Sequence, residues 1–81
     1  MQVITPVADK TIDLSTLRCP HLIIATIHAL RMSRPGEIVQ LIATDLNAPS
    51  SISAWARQSG HELLDWYDDD SKFVFFLRRG S

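Results

Sequence analysis

The sequence CPHLIIATIHALRMS, residues 19–33, predicts an amphipathic helix. Its apolar side chains recur every three or four residues, which is the spacing of one helix face. The set expected to face the core is Ile23, Ile24, Ala25, Ile27 and Leu30, and the set expected to face outward is His21, His28 and Arg31. Pro20 suits the first turn because its missing N–H would have no partner there. Arg34-Pro35-Gly36 ends the helix.

A short strand is predicted on each side of this helix. Residues 11–14 alternate polar and apolar side chains after a polar stretch. Residues 37–44 are nearly all apolar and rich in β-branched side chains, as expected of a strand covered on at least one face.

A second helix is predicted from about residue 49 to residue 58, with Pro49 in its first turn. Ile52, Trp55 and Ala56 are expected to line its buried side. Ser59-Gly60 ends it, since glycine accepts the left-handed backbone that often follows a helix.

The remaining chain predicts two strands, residues 61–67 and 72–79, joined by an acidic turn at residues 68–71. The order is therefore β-α-β-α-β-β, an α/β two-layer sandwich with two helices on one face of a four-stranded mixed sheet. A chain of 81 residues can bury one core, so residues 1–81 are expected to form a single domain.

Composition excludes several classes of protein. Hydrophobic residues make up 46% of the chain and charged residues 21%, which is typical of globular proteins, and the net charge of -1 argues against a nucleic-acid partner. No apolar run approaches the length of a membrane span, and residues 1–10 do not resemble a secretory signal. The single cysteine suits a reducing compartment, so we expect a cytoplasmic protein.

Leu17-Arg18-Cys19-Pro20 places a thiol where a loop enters a helix. The unpartnered N–H groups of the first turn, the helix dipole and the neighbouring Arg18 all favour the nucleophilic thiolate. Free cysteine is also among the most buried residue types. Residue chemistry alone therefore leaves open a reactive Cys19 and a buried, inert one.

Several short motifs together resemble one known family. They are Asp13, Leu17-Arg18-Cys19-Pro20, Pro35-Gly36-Glu37, Ala43-Thr44-Asp45, Ile52 with Trp55, and Gly60-His61-Glu62-Leu63. In order and spacing they are similar to the TusA/SirA-like sulfur-carrier (sulfurtransferase) family over nearly the whole chain.

The resemblance implies the same β-α-β-α-β-β sandwich and a persulfide carried on Cys19. The donor would be a cysteine desulfurase or another persulfide protein, and the acceptor a downstream protein, for example in tRNA thiolation. Related members serve molybdenum-cofactor enzymes or dissimilatory sulfur oxidation. No metal and no organic cofactor is required.

Other residues have two interpretations each. Asp13 and Asp45 would border the sulfur site at the ends of neighbouring strands, or serve as ordinary turn and cap residues. His21 would hydrogen-bond or exchange a proton beside Cys19, or be an exposed helix residue. Arg31 would dock a partner or simply be solvated, and the solvated interpretation is favoured.

Arg18 and Pro20 complete the expected surroundings of the sulfur. A metal site is not expected, because a Cys-x-His pair without a second paired motif lacks the ligand spacing of a closed zinc site. The candidate ligands considered are Cys19, His21, His28 and His61.

The chain departs from the family pattern at three positions. Leu22 stands where a second proline is usual, Thr16 where glycine is common, and Ser51 where aspartate often precedes the isoleucine of the second helix. Leu22 restores an N–H that proline would lack, which predicts a different number of donors around the sulfur. This keeps a second hypothesis open, a non-catalytic regulatory or protein-interaction module of the same fold.

Overall fold

The computed structural model describes residues 8–80 of the chain. Residues 1–7, where no secretory signal is expected, and residue 81 lie outside the described part. The elements are β1 (Lys10–Asp13), α1 (His21–Arg31), β2 (Ile38–Ala43), α2 (Ala48–Ser59), β3 (Glu62–Asp69) and β4 (Lys72–Arg78). Within residues 8–80, neither helix has the length and apolar character that crossing a membrane requires.

The four strands form one mixed sheet in the order β1-β2-β4-β3. β1 and β2 are parallel, joined by α1, whereas β4 is antiparallel to both β2 and β3. Buried side chains from both helices and from alternate positions of β2 and β4 belong to one core, so both helices cover the same face. The predicted fold class is confirmed.

The parallel pairing of β1 and β2 determines where the loops after them meet. Asp13 at the end of β1 pairs with Ile42 near the end of β2. Because parallel strands end at the same edge of a sheet, the loop carrying Cys19 and the loop carrying Asp45 leave the sheet side by side.

The buried face of α1 differs from the predicted one. The fully or nearly buried residues of this helix are Leu22, Thr26, Ala29 and Leu30. Ile23 and Ala25 are only partly buried against the core, and Ile24 is 59% exposed. A polar residue can be buried at position 26 because its hydroxyl is hydrogen-bonded. The Thr26 hydroxyl donates to the carbonyl oxygen of Leu22, 2.9 Å away.

Both helices begin close to their predicted starts. Pro20 is the N-cap of α1 rather than a residue of its first turn, and the helix starts at His21. α2 starts at Ala48, one residue before Pro49, and its last residue, Ser59, is followed by the C-cap Gly60, whose φ of 81° is left-handed.

The acidic turn is shorter than predicted. β3 continues to Asp69, which pairs with Lys72, so that Asp70 and Ser71 alone connect β3 to β4. Asp70 has a φ of 61°, a conformation that aspartate tolerates better than most residues.

His61 contacts both the segment that follows β4 and the helix α2. Its Nδ1 accepts the N–H of Gly80 at 2.9 Å, and its ring lies 5.1 Å from that of Trp55. Burial, followed by the charge of Arg79, holds the pKa of His61 below its ordinary value. The neutral imidazole is the form that accepts this hydrogen bond.

We expect the free energy of unfolding to decrease as the pH falls from about 7.5 to 5.5. The folded pKa of His61 is lower than the unfolded one, so its contribution is present above the unfolded pKa and is lost on acidification. Urea midpoints measured across this interval test the expectation. In His61→Asn, which keeps an acceptor near Nδ1 but does not titrate, the midpoint should change less, and an unchanged dependence would contradict it.

Candidate functional site

Cys19 is exposed at the entrance to α1. It immediately precedes Pro20, the helix N-cap, and the peptide bond between them is cis. The first turn of α1 contains no acidic side chain that would oppose an anion at this end of the helix. Of the two interpretations left open by the sequence, the structure supports an accessible thiol.

The loop that carries Cys19 is held by the motif Ala43-Thr44-Asp45. The Thr44 hydroxyl donates to the carbonyl oxygen of Ser15 at 2.6 Å. One oxygen of Asp45, Oδ2, accepts the backbone N–H of Cys19 at 2.8 Å. These two contacts attach the loop to the end of β2.

Asp45 also shapes the start of α2. Its second oxygen, Oδ1, accepts the N–H of Asn47 at 2.9 Å, and the residue is only 8% exposed. The N–H groups of Asn47 and then Cys19 hold the pKa of Asp45 below its ordinary value, against the opposing effect of burial. Asp45 is therefore an ionised carboxylate that binds both loops.

Asp13 has a different role from Asp45. Its Oδ1 accepts the N–H of Ser15 at 2.9 Å, and hydrogen bonds from Ser15 lower the pKa of this carboxyl. Asp13 thus stabilises the turn after β1, and the carboxylate that contacts Cys19 is that of Asp45.

Ser51 is the site residue that sequence reasoning did not identify. The thiol of Cys19 donates to the Ser51 hydroxyl, with 3.7 Å between Sγ and Oγ. The two residues are 32 positions apart, and the only sequence signal was that position 51 departs from the family pattern.

Arg18 and His21 flank the sulfur along the chain. Both are exposed, and the charge of Arg18 contributes to the lowered pKa of Asp45. Arg18 and Pro20 also accept N–H groups of the first turn through their carbonyl oxygens. Arg18, Pro20 and His21 thus adjoin Cys19 along the chain, and their roles at the sulfur stay predictions.

Arg31 is remote from the sulfur. It lies in the last turn of α1, about 15 Å along the helix axis from His21. Together with Ile24, Ile27 and His28 it lines a shallow groove of about 210 Å³ on the outward side of α1. Arg31 is therefore placed to contact a partner at this groove and not to contact the sulfur.

Leu22 does not add a free donor to the sulfur site. Its N–H donates to the carbonyl oxygen of Arg18 at 2.9 Å, and its side chain is fully buried in the core. The N–H that proline would remove is thus hydrogen-bonded inside the loop. Leu22 therefore does not change the number of free N–H donors around the sulfur.

We expect Leu22→Ala to lower the free energy of unfolding by about 2–5 kcal/mol, the cost of a buried leucine truncation. Urea denaturation measures this change. The alkylation rate of Cys19 in the folded variant should stay close to that of the parent, because the Leu22 side chain packs in the core. A faster or slower thiol with unchanged stability would contradict both expectations.

No metal centre is formed by the described residues. Among residues 8–80, no three or more side chains of histidine, cysteine, aspartate and glutamate are placed to hold an ion. Of the four candidate ligands, His61 already accepts the N–H of Gly80.

The fold and the site define a class of small α/β sandwich proteins that present one free thiol at the start of the first helix. A family model described as Sulfurtransferase TusA matches residues 10–79, and the chain belongs to this family. The resemblance found in the sequence is confirmed.

Similar proteins agree with this assignment. "Putative sulfur carrier protein YrkI" of Bacillus subtilis is 33% identical over 73 residues, which cover 90% of this chain and 97% of that protein. A "Putative sulfur carrier protein" of Aquifex aeolicus is 34% identical over 73 residues, but the chain spans only 37% of its length.

A solved structure supports the fold. The crystal structure of the SirA-like protein from Desulfitobacterium hafniense superposes with a TM-score of 0.74 at 19% sequence identity. The match covers 89% of this chain and 99% of that one.

Proposed function

We propose that this protein is a sulfur carrier that accepts a sulfane sulfur on Cys19 as a persulfide and relays it to an acceptor protein. The observation that carries the proposal is the exposed Cys19 thiol at the start of α1, in a loop tied down by Asp45 and Thr44. A thiol in such a position is open to a large protein substrate and yet held in one place.

The chemistry is an exchange at sulfur. The Cys19 thiolate attacks the outer sulfur of the donor's persulfide, and a new S–S bond forms with the electron pair of Cys19. The donor's own S–S bond breaks, and its inner sulfur leaves as a thiolate with the bonding pair. An acceptor thiolate then repeats this step on Cys19, so that no oxidant or cofactor is consumed.

Partners would dock on the outward side of α1, the helix whose N-terminal end follows Cys19. This side exposes Ile24, and α1 has no acidic residue while His28 and Arg31 lie in its last turn. A partner surface that is apolar and acidic would complement it. Arg31 would then act as a docking residue.

The donor would be a cysteine desulfurase or another protein that carries a persulfide. The acceptor would be a protein with a nucleophilic cysteine, in tRNA thiolation or another sulfur-transfer pathway. A cytoplasmic, reducing compartment suits a chain whose single cysteine must stay free.

Intact-protein mass spectrometry after incubation with a cysteine desulfurase and cysteine tests the proposal. We expect a gain of roughly 32 Da, one sulfur atom, that a reductant removes. Addition of a thiol acceptor should return the carrier to its starting mass and load the acceptor. A folded protein that gains no sulfur from several persulfide donors would instead indicate a protein-interaction module.

A further inference from the structure

Ser51 contacts the reacting atom from a different element than the one that carries it. Ser51 is the fourth residue of α2, is half-buried, and has its Oγ 3.7 Å from Sγ of Cys19. The contact is long, as expected of a thiol, which is a weak hydrogen-bond donor. The contact exists only because the loop after β1 and the start of α2 meet at the same edge of the sheet.

The charged and titratable groups near this sulfur are Asp45, Arg18 and His21. Asp45 accepts backbone N–H groups from Cys19 and Asn47 and also interacts with the Cys19 thiol as an acceptor. As a carboxylate it has no proton to donate to an anionic sulfur. Arg18 and His21 are exposed side chains of the same segment as Cys19. None of these three makes a side-chain hydrogen bond to Sγ as a donor in the described part of the chain.

A serine hydroxyl is both donor and acceptor, which distinguishes it from the carboxylate. While Cys19 is a thiol, the S–H donates to Ser51 Oγ, as the structure has it. Once the proton leaves, the sulfur becomes an acceptor, and the Ser51 hydroxyl can rotate and donate to it without moving the backbone. A hydrogen bond to an anion is stronger than one between neutral groups.

We propose that the Ser51 hydroxyl is the hydrogen-bond donor that stabilises the anionic sulfur of Cys19. The inference rests on the proposed carrier function and adds a second catalytic residue to it, since Ser51 touches the reacting atom. The same hydroxyl stabilises the thiolate before it attacks the donor and the Cys19 thiolate that is released when the acceptor takes the sulfur.

The chain offers a matched pair of serines for the test. Ser50 is the neighbouring residue of α2, and its hydroxyl donates to the carbonyl oxygen of Asn47 at 3.2 Å rather than to Cys19. Threonine and valine at position 51 have the same shape, and only threonine carries a hydroxyl. Comparison of these two variants isolates the hydroxyl from packing and helix propensity.

The experiment measures the rate of Cys19 alkylation by iodoacetamide against pH for the parent, Ser51→Thr, Ser51→Val, Ser51→Ala and Ser50→Ala. We expect Ser51→Val and Ser51→Ala to react about fivefold more slowly near pH 7, with the half-maximal rate at a higher pH. Ser51→Thr and Ser50→Ala should follow the parent. Superimposable profiles for all five proteins would overturn the proposal, as would equal slowing in Ser51→Thr and Ser51→Val.

Sulfur loading of Cys19 by a desulfurase and cysteine is measured on the same proteins. This measurement separates the role of Ser51 from the carrier function on which it rests. If the parent gains sulfur and the profiles superimpose, Ser51 has no such role and the carrier function stands. If the profiles shift and the parent gains no sulfur, Ser51 activates a thiol with a different use. If Ser51→Val does not fold, the alkylation profiles of Ser51→Ala and the parent protein are compared instead.

Discussion

Cys19→Ser is expected to abolish the gain of roughly 32 Da that a persulfide donor produces on the parent protein. The reason is that serine keeps the shape of the side chain but replaces the sulfur that must form the S–S bond. The chain contains no second cysteine that could take over, so the loss should be complete rather than partial. Intact mass after incubation with a cysteine desulfurase and cysteine is the measurement.

The control is the stability of the variant. Cys19 is exposed, and among the described residues its side chain interacts with Ser51 and Asp45, so Cys19→Ser, which keeps a hydroxyl donor, should have nearly the same urea midpoint as the parent. A folded Cys19→Ser protein that still gains one sulfur would place the sulfur elsewhere and refute the mechanism. Retained binding of the donor by this variant is expected, because docking is assigned to the side of α1.

Asp45→Ala is expected both to destabilise the protein and to slow loading of Cys19. Two backbone N–H groups, those of Cys19 and Asn47, lose their acceptor, and the loop is no longer tied to α2. We expect sulfur loading to slow by roughly ten- to a hundredfold, since displacement of a reacting group by about 1 Å has effects of this order. Loading rates by mass spectrometry and thermal melts measure the two effects.

Acid should reproduce part of the Asp45→Ala defect in the parent protein. Because the folded pKa of Asp45 is lowered, its stabilisation is present above the unfolded pKa and is lost as the pH falls below about 4. Asp45→Asn should therefore show a weaker dependence of its melting temperature on pH in this range.

Asp13→Asn is the matched control for Asp45. Asp13 is exposed, and its carboxylate accepts the N–H of Ser15 alone among backbone donors of the described chain. We expect Asp13→Asn to lose little stability at neutral pH and to load sulfur at nearly the parent rate. Equal loading defects in Asp13→Asn and Asp45→Ala would show that the hydrogen bond between Asp45 and the Cys19 N–H does not determine the loading rate.

Much of the fold could be predicted because it depends on local signals. Hydrophobic periodicity located both helices and all four strands, and Gly60 marked the end of α2 through its left-handed backbone. Which side of α1 is buried was wrong in part, since Thr26 is buried and Ile24 exposed. Periodicity finds an apolar stripe, but the direction from which the sheet approaches the helix selects the residues that are covered.

The candidate site likewise has features that the sequence predicts and features that depend on the tertiary structure. The sequence by itself determined the thiol, its position before a helix and the family, because these depend on residue identity and spacing along the chain. Only the tertiary structure decided that Asp45 rather than Asp13 holds the Cys19 loop, and that Ser51 reaches the sulfur. These contacts join residues 26 and 32 positions apart. They arise from the parallel pairing of β1 with β2, which no local pattern encodes.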